Sequence, residues 1–199
     1  MSQPAPGPRL QMTLAAAELF RERGYDGTGL REVVERAGAA RGAIYHHFPG
    51  GKAELATTVV DAVGGRMADL VEQVCARSTP TEAVDSLMDY IEKVLVGDGS
   101  VGRSGCPVAA VALAAEDDDG ALRAAAHAVF QRIRTAIADC LRRDGIGAGT
   151  AEEFATMAVA SAEGVIILAR AARDPAAVRT VRRSLQWTLQ QLGPRGARS

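Results

Sequence analysis

The stretch Thr28–Lys52, TGLREVVERAGAARGAIYHHFPGGK, decides the fold. Leu30, Val33, Val34 and Ala37 recur at i, i+3, i+4 and i+7, the apolar face of a two-turn helix. Gly38 breaks that pattern, and Ala39-Ala40 leads into another helix in which Ile44 and Phe48 stand one turn apart. So short a connection favours a sharp crossing of the two helices. Upstream, Met12, Ala15, Ala16, Leu19 and Phe20 form a third stripe, closed by Gly24 where a left-handed C-terminal cap is expected. Three short helices with converging stripes can bury one small core.

Committing Ile44 and Phe48 to that core leaves Arg41, Gly42, Ala43, Tyr45, His46 and His47 facing outward. Arg41 suits the N7/O6 edge of guanine or a phosphate. Tyr45 and the two histidines can donate hydrogen bonds to a DNA backbone. Gly42 and Ala43 are small enough to let the helix come close. Lys52 opens the next helix, where free backbone N–H groups and the helix dipole also favour a phosphate. Thr28, Gly29 and Arg31, around the start of the second helix, complete the expected double-stranded DNA surface.

These residues carry a resemblance. The series Leu19-Phe20, Gly24-Tyr25, Thr28, then Gly42-x-x-Tyr45-x-His47-Phe48-x-x-Lys52-x-x-Leu55, resembles the N-terminal domain of TetR-type transcriptional regulators over residues 9–56. The segment Gly105-Cys106-Pro107-Val108 with its Ala-rich continuation resembles the LmrA/YxaF-like branch. The resemblance implies a homodimeric repressor that binds a palindromic operator and is released by a small apolar or amphipathic effector. Gly29 and Gly51 stand where the family places Ser or Thr N-caps, with Glu32 and Glu54 three residues on. Glycine is a tolerable cap but supplies no side-chain acceptor, so half of each capping box is missing.

The expected fold is all-α. Residues 1–8 form a disordered arm, 9–50 a three-helix helix-turn-helix DNA-binding domain, 51–193 a larger ligand-binding and dimerisation domain, and 194–199 a flexible tail. Within the larger domain one helix is expected over 52–77. Thr79-Pro80-Thr81-Glu82 starts the next, and residues 97–105 form a flexible loop. Helices over 107–115 and 120–143 follow. A Thr150/Glu153 capping box opens a helix to about 172, and Asp174-Pro175 begins the last, ending near 192.

A mostly apolar ligand pocket is expected among these helices. Its candidates are Met67, Val71, Leu87, Tyr90, Ile91, Cys106, Val111, Phe130, Ile133, Arg134, Ile137 and Glu163. Small residues beside large ones mark a two-fold helical interface at Ala158, Ala162, Val165 and Ile166, paired with Val181, Leu185 and Leu189 on the last helix. Half-sites one DNA turn or more apart would follow.

Composition narrows the field. The net charge is −1, and residues 1–60 carry Arg9, Arg21, Arg23, Arg31, Arg36, Arg41 and Lys52 against six acidic residues. Bulk charge therefore does not announce DNA, and that reading rests on motif geometry. No apolar run approaches the length of a membrane span and the N-terminus lacks a signal-like core, so a cytoplasmic protein is expected. The histidines are His46, His47 and His127, adjacent ones diverging by about 100° on a helix. Glu116-Asp117-Asp118-Asp119 suits a cation or, more simply, the dipole of the following helix. No enzymatic activity, metal or cofactor is expected. Cys75, Cys106 and Cys140 lack metal or CxxC spacing. Cys106, near a helix N-terminus that lowers thiol pKa, offers an alternative thiol-based redox-sensing repressor.

Overall fold

A computed structural model describes residues 7–96, 105–115 and 120–193. The expected N-terminal arm and C-terminal tail, most of the 97–105 loop and the acidic run 116–119 lie outside the described residues. Among the described residues all regular structure is helical: α1 (Pro8–Arg23), α2 (Leu30–Arg36), α3 (Ala43–His47), α4 (Gly51–Val59), a π turn (Val60–Gly64), α5 (Gly65–Arg77), α6 (Pro80–Val96), α7 (Pro107–Ala114), α8 (Gly120–Arg143), α9 (Ala148–Ala172) and α10 (Ala176–Leu192).

The chain divides into two compact units, residues 1–66 with 105–129 and residues 67–104 with 130–199, the boundaries falling within α5 and α8. In the first, the stripes converge as their spacing predicts. Met12, Leu19, Phe20, Val33, Ile44, Phe48, Leu55 and Val59 are all buried, joined by Val108 and Val111 of α7 and Leu122 of α8. Gly105 N–H donates to the Arg21 carbonyl at 3.1 Å, pinning the entry of α7 onto α1. In the second, α10 packs along α6 and α9. Arg182–Asp89 and Arg179–Glu92 (3.1 Å) ion pairs and a Gln186–Asp85 hydrogen bond (2.7 Å) line its seam with α6.

Several helix ends differ from expectation. The helix expected over 52–77 widens into a π turn at Val60–Gly64. There Gly64 is buried, and a Cβ on it would meet Val108 Cγ2 at 2.8 Å and Val129 Cγ2 at 3.0 Å, so only glycine admits α7 and α8 this close. The cap of α4 is Gly50, whose N–H donates to Glu54 at 2.8 Å, while Gly51 takes φ +69°, a conformation that favours glycine. α9 opens at Ala148 on a Gly147 cap, two residues before Thr150. The Thr79 capping box forms as expected: Glu82 accepts from Thr79 N–H at 2.8 Å and from its hydroxyl at 2.9 Å.

One expectation, that no apolar run approaches the length of a membrane span, does not hold for α9. α9 is long and apolar enough, by length and composition, to cross a membrane. Its alanines raise the apolar content without the bulk of a leucine-rich span, and only part of it is buried.

Candidate nucleic-acid interface and ligand cavity

α3 is a single short helix with a divided surface. Ile44 and Phe48 are buried at 2% and 0% exposure, whereas Tyr45 is 66% exposed. Arg41 and Gly42 lie in the turn that leads into α3, and both are exposed, as is His46; Ala43 and His47 are half-buried. The His46 and His47 rings stand 5.1 Å apart at 70°. No group of three or more metal-ligating side chains occurs among the described residues.

What holds α3 in place was not legible in the sequence. The Arg9 guanidinium stacks 4.4 Å over the Phe48 ring, donates to the His47 carbonyl, and reaches Glu54 and the Thr58 hydroxyl at 3.4 Å each. It therefore ties the C-terminal end of α3 to α1 through a cation–π contact and a carbonyl bond, and reaches α4 through Glu54 and Thr58. Arg9 belongs to the support of the outward surface rather than to the arm that precedes it.

Three of the expected phosphate contacts also have partners within the protein. Thr28 is 2% exposed and its hydroxyl donates to the Gly24 carbonyl at 2.8 Å, so its side chain braces the α1–α2 turn. Gly29 is exposed, but its N–H donates to Glu32 at 3.2 Å. That bond and the Arg23 guanidinium hold the Glu32 carboxyl below its ordinary range. The Lys52 ammonium lies 4.3 Å over the Tyr25 ring and 3.4 Å from the Asp26 carbonyl. Burial pulls its pKa down, with Asp26 opposing. Arg31 stays outward, its side chain 75% exposed beside Glu35 at 3.0 Å. The exposed set is Gly29, Arg31, Arg41, Gly42, Tyr45 and His46, with Ala43, His47 and Lys52 half-buried beside it.

The second unit holds a cavity of ≈ 130 Å³ between α5, α6, α8, α9 and α10. Met67, Val71, Leu87, Tyr90, Ile91, Phe130, Ile133, Ile137 and Glu163 line it as expected. Three candidates do not. Cys106 and Val111 are buried in the first unit, where Cys106 caps α7 by accepting from Ala109 N–H at 3.4 Å. Cys106 thus stands at a helix N-terminus, as expected, but is buried there. Arg134 lines a separate polar hollow with Gln131, Thr135, Arg142 and Glu152, and donates to Gln131 at 2.8 Å. One residue past Ile133, it is turned about 100° away from the cavity.

The expected dimer residues divide in the same way. Ala158, Val165, Leu185 and Leu189 are buried within a single chain. Ala158, Ala162, Ile166 and Leu185 help line the cavity, and Val181 is half-buried. Apart from Val181, these positions pack inward. The large apolar side chains left in the open on α9 and α10 are Met157, Ile167, Leu168 and Trp187, Trp187 being 63% exposed.

Two family models match the chain. Residues 13–59 match the bacterial regulatory proteins of the TetR family, and residues 80–184 match the C-terminal domain of LmrA/YxaF-like transcriptional regulators. The chain belongs to the TetR family of transcriptional regulators. Its TetR relatives include the HTH-type transcriptional regulator Rv0196 of Mycobacterium tuberculosis, 38% identical over 186 residues that cover 90% of this chain and 93% of the relative. A TetR regulator from Legionella pneumophila shares the fold with a TM-score of 0.82 at 18% identity, over 94% of this chain and 99% of that one. So does a cysteine mutant of the TetR regulator CifR, solved with 26-base-pair operator DNA, with a TM-score of 0.73 at 22% identity over 92% and 97% of the two chains.

Proposed function

We propose that this TetR-family chain is a ligand-responsive repressor that binds a palindromic operator as a homodimer in the cytoplasm. The observation that carries the reading is the division of α3. Ile44 on α3 and Phe48 at its C-cap are both committed to the core, so Tyr45 and His46 are presented outward on the helix and Arg41 on the turn before it, with Arg9 bracing the C-terminal end. Arg41 supplies the base-edge fork, and Tyr45, His46 and His47 supply backbone contacts. Arg31, exposed on α2 and paired with Glu35 at 3.0 Å, adds a further cation.

The dimer is assigned to the outer stripe of α9 and α10. Met157, Ile167, Leu168 and Trp187 are large apolar groups in the open, and a second copy covers them in a two-fold, self-complementary contact. The same contact accounts for the apolar length of α9 without a membrane, so the protein stays in the soluble fraction.

The effector site is the cavity of the second unit. At ≈ 130 Å³ it is close to the size that holds benzene, and a larger effector must part the surrounding helices. That parting is the coupling: a ligand that binds only the opened form lowers operator affinity, and the operator lowers ligand affinity by the same factor. Moving occupancy from nearly complete to nearly none takes about 5.5 kcal/mol of differential affinity.

The test is binding to the DNA upstream of the protein's own gene across a salt series. Saturable binding to one site, weakened by salt and lost in Arg41→Ala and Tyr45→Ala, supports the reading. Equal affinity for random DNA in all three proteins overturns it.

A further inference from the structure

Two thiols outside the expected ligand set stand together in the cavity wall. Cys75 lies in the last turn of α5 and Cys140 in the last turn of α8, both reduced, both 2% exposed, and both facing the cavity. The backbone around them is clamped. Cys140 Sγ lies 3.5 Å from the Ser78 carbonyl, and the Arg143 guanidinium donates to the Cys75 carbonyl. Nothing in the spacing of the cysteines reveals the pair, because α5 and α8 bring it together across the intervening α6 and α7.

The two sulfurs are chemically unequal. A hydrogen bond from Cys75, aided by the positive charge of Arg143, draws the Cys140 thiol down to about 7 against burial and the nearby Asp144 carboxylate. The same contact, with burial, pushes the Cys75 thiol up despite Arg143. Such an asymmetric pair has an attacking sulfur and a resolving one. The wall around it is apolar, with Ile133, Ile137 and Phe154 among its lining, and Tyr90 and Glu163 supplying oxygen atoms.

We propose that Cys75 and Cys140 form a reversible thiol–disulfide switch inside the cavity, closed by organic hydroperoxides with an apolar tail. The Cys140 thiolate attacks the terminal oxygen of the hydroperoxide. The O–O bond breaks, the alkoxide takes up a proton and leaves as the alcohol, and Cys140 becomes a sulfenic acid. The Cys75 sulfur then attacks the Cys140 sulfur. The S–S bond forms, the S–O bond breaks, and the hydroxide leaves as water with the Cys75 proton. Two thiols lose two electrons, and one hydroperoxide becomes one alcohol and one water. The apolar wall concentrates an aryl or alkyl hydroperoxide beside the pair and gives hydrogen peroxide no such advantage. Only the effect of the switch on operator binding rests on the reading of the cavity as the effector site.

The experiment treats the reduced full-length protein with cumene hydroperoxide or hydrogen peroxide and maps its peptides by mass spectrometry without reduction. A Cys75–Cys140 linked peptide is expected, forming at least about tenfold faster with cumene hydroperoxide and reverting with dithiothreitol. In Cys75→Ser, dimedone traps the sulfenic acid at Cys140, in Cys140→Ser Cys75 stays reduced, and Cys106→Ser oxidises as the parent does. The parent map decides the point even where a serine variant loosens the wall. Absence of the linked peptide, equal rates with the two peroxides, or loss of the reaction in Cys106→Ser overturns the proposal. Operator binding is followed in the same samples. A disulfide that forms without changing operator affinity upholds the switch chemistry and counts against the effector-site reading. An operator that responds to other apolar ligands while no disulfide forms upholds that reading and overturns the switch.

Discussion

α3 and α9 meet their surroundings in opposite ways. α3 buries Ile44, leans on Phe48, and turns polar groups outward. α9 buries Phe154, Ala158 and Val165 and still leaves Met157, Ile167 and Leu168 in the open. A polar outer face on a braced short helix suits a charged, hydrated partner such as DNA. An apolar outer face beside an exposed Trp187 suits a partner as dry as itself. The outer face of each helix, rather than the inner one, tells the partners apart.

The comparison breaks most visibly at the apolar face. Leu168→Glu combined with Trp187→Glu puts carboxylates into the assigned interface and turns the dimer into a monomer by sedimentation. Operator affinity then falls at least about a hundredfold, because each half-site is bound alone. A dimer that survives both changes removes the outer stripe from the interface. Leu185→Ala probes the inner face of α10. Its expected cost is about 2–5 kcal/mol in chemical denaturation, with dimerisation of the folded fraction intact. Loss of the dimer at unchanged chain stability would return Leu185 to the interface.

Arg9→Ala tests the brace under α3. Removing the guanidinium from Phe48 and the His47 carbonyl costs about 1–2 kcal/mol of stability. Operator affinity drops about tenfold although Arg9 need not touch DNA. An operator titration that matches the parent protein would show that α3 holds its shape unaided. The smallest effect belongs to Glu32. Its carboxyl is held below the ordinary value, so its contribution is present at neutral pH and is lost as pH falls through the lowered folded-state value. Glu32→Gln therefore lowers stability at neutral pH and flattens the acid limb of a stability–pH curve. An acid limb parallel to the parent's would contradict that linkage.

Much of the first unit was legible because its pattern is unambiguous. Ile44 in a five-residue helix and Phe48 at its C-cap stand one turn apart and leave no choice about which side is buried, and the outward placing of Arg41 and Tyr45 follows. Polar partners were harder. Thr28, Gly29 and Lys52 have the right chemistry for phosphate, but each also meets a partner inside the chain, the Gly24 carbonyl, Glu32 and the Tyr25 ring. Arg9 lies 38 residues before the His47 carbonyl it binds, with α2 in between, so no local pattern points to it. In the second unit, apolar periodicity marks faces without saying what covers them. Ile133 and Ile137 reach the cavity, Leu185 and Leu189 pack inside one chain, and α9 is apolar enough on both sides to hide the distinction. The π turn escapes notice for a related reason: Gly64 reads as one more small helical residue until Val108 and Val129 are seen against it.

The central claim is that the surface around α3 reads DNA sequence. Selection of operators from a random duplex library tests it most directly, with the parent protein, Arg41→Ala and Tyr45→Ala run side by side. The account predicts an inverted repeat with half-sites about 34–36 Å or a multiple of that apart. Arg41→Ala should relax preference at one base position in each half-site, and Tyr45→Ala should weaken all sites alike. No enriched repeat, or the same repeat selected with equal strength by all three proteins, would contradict it.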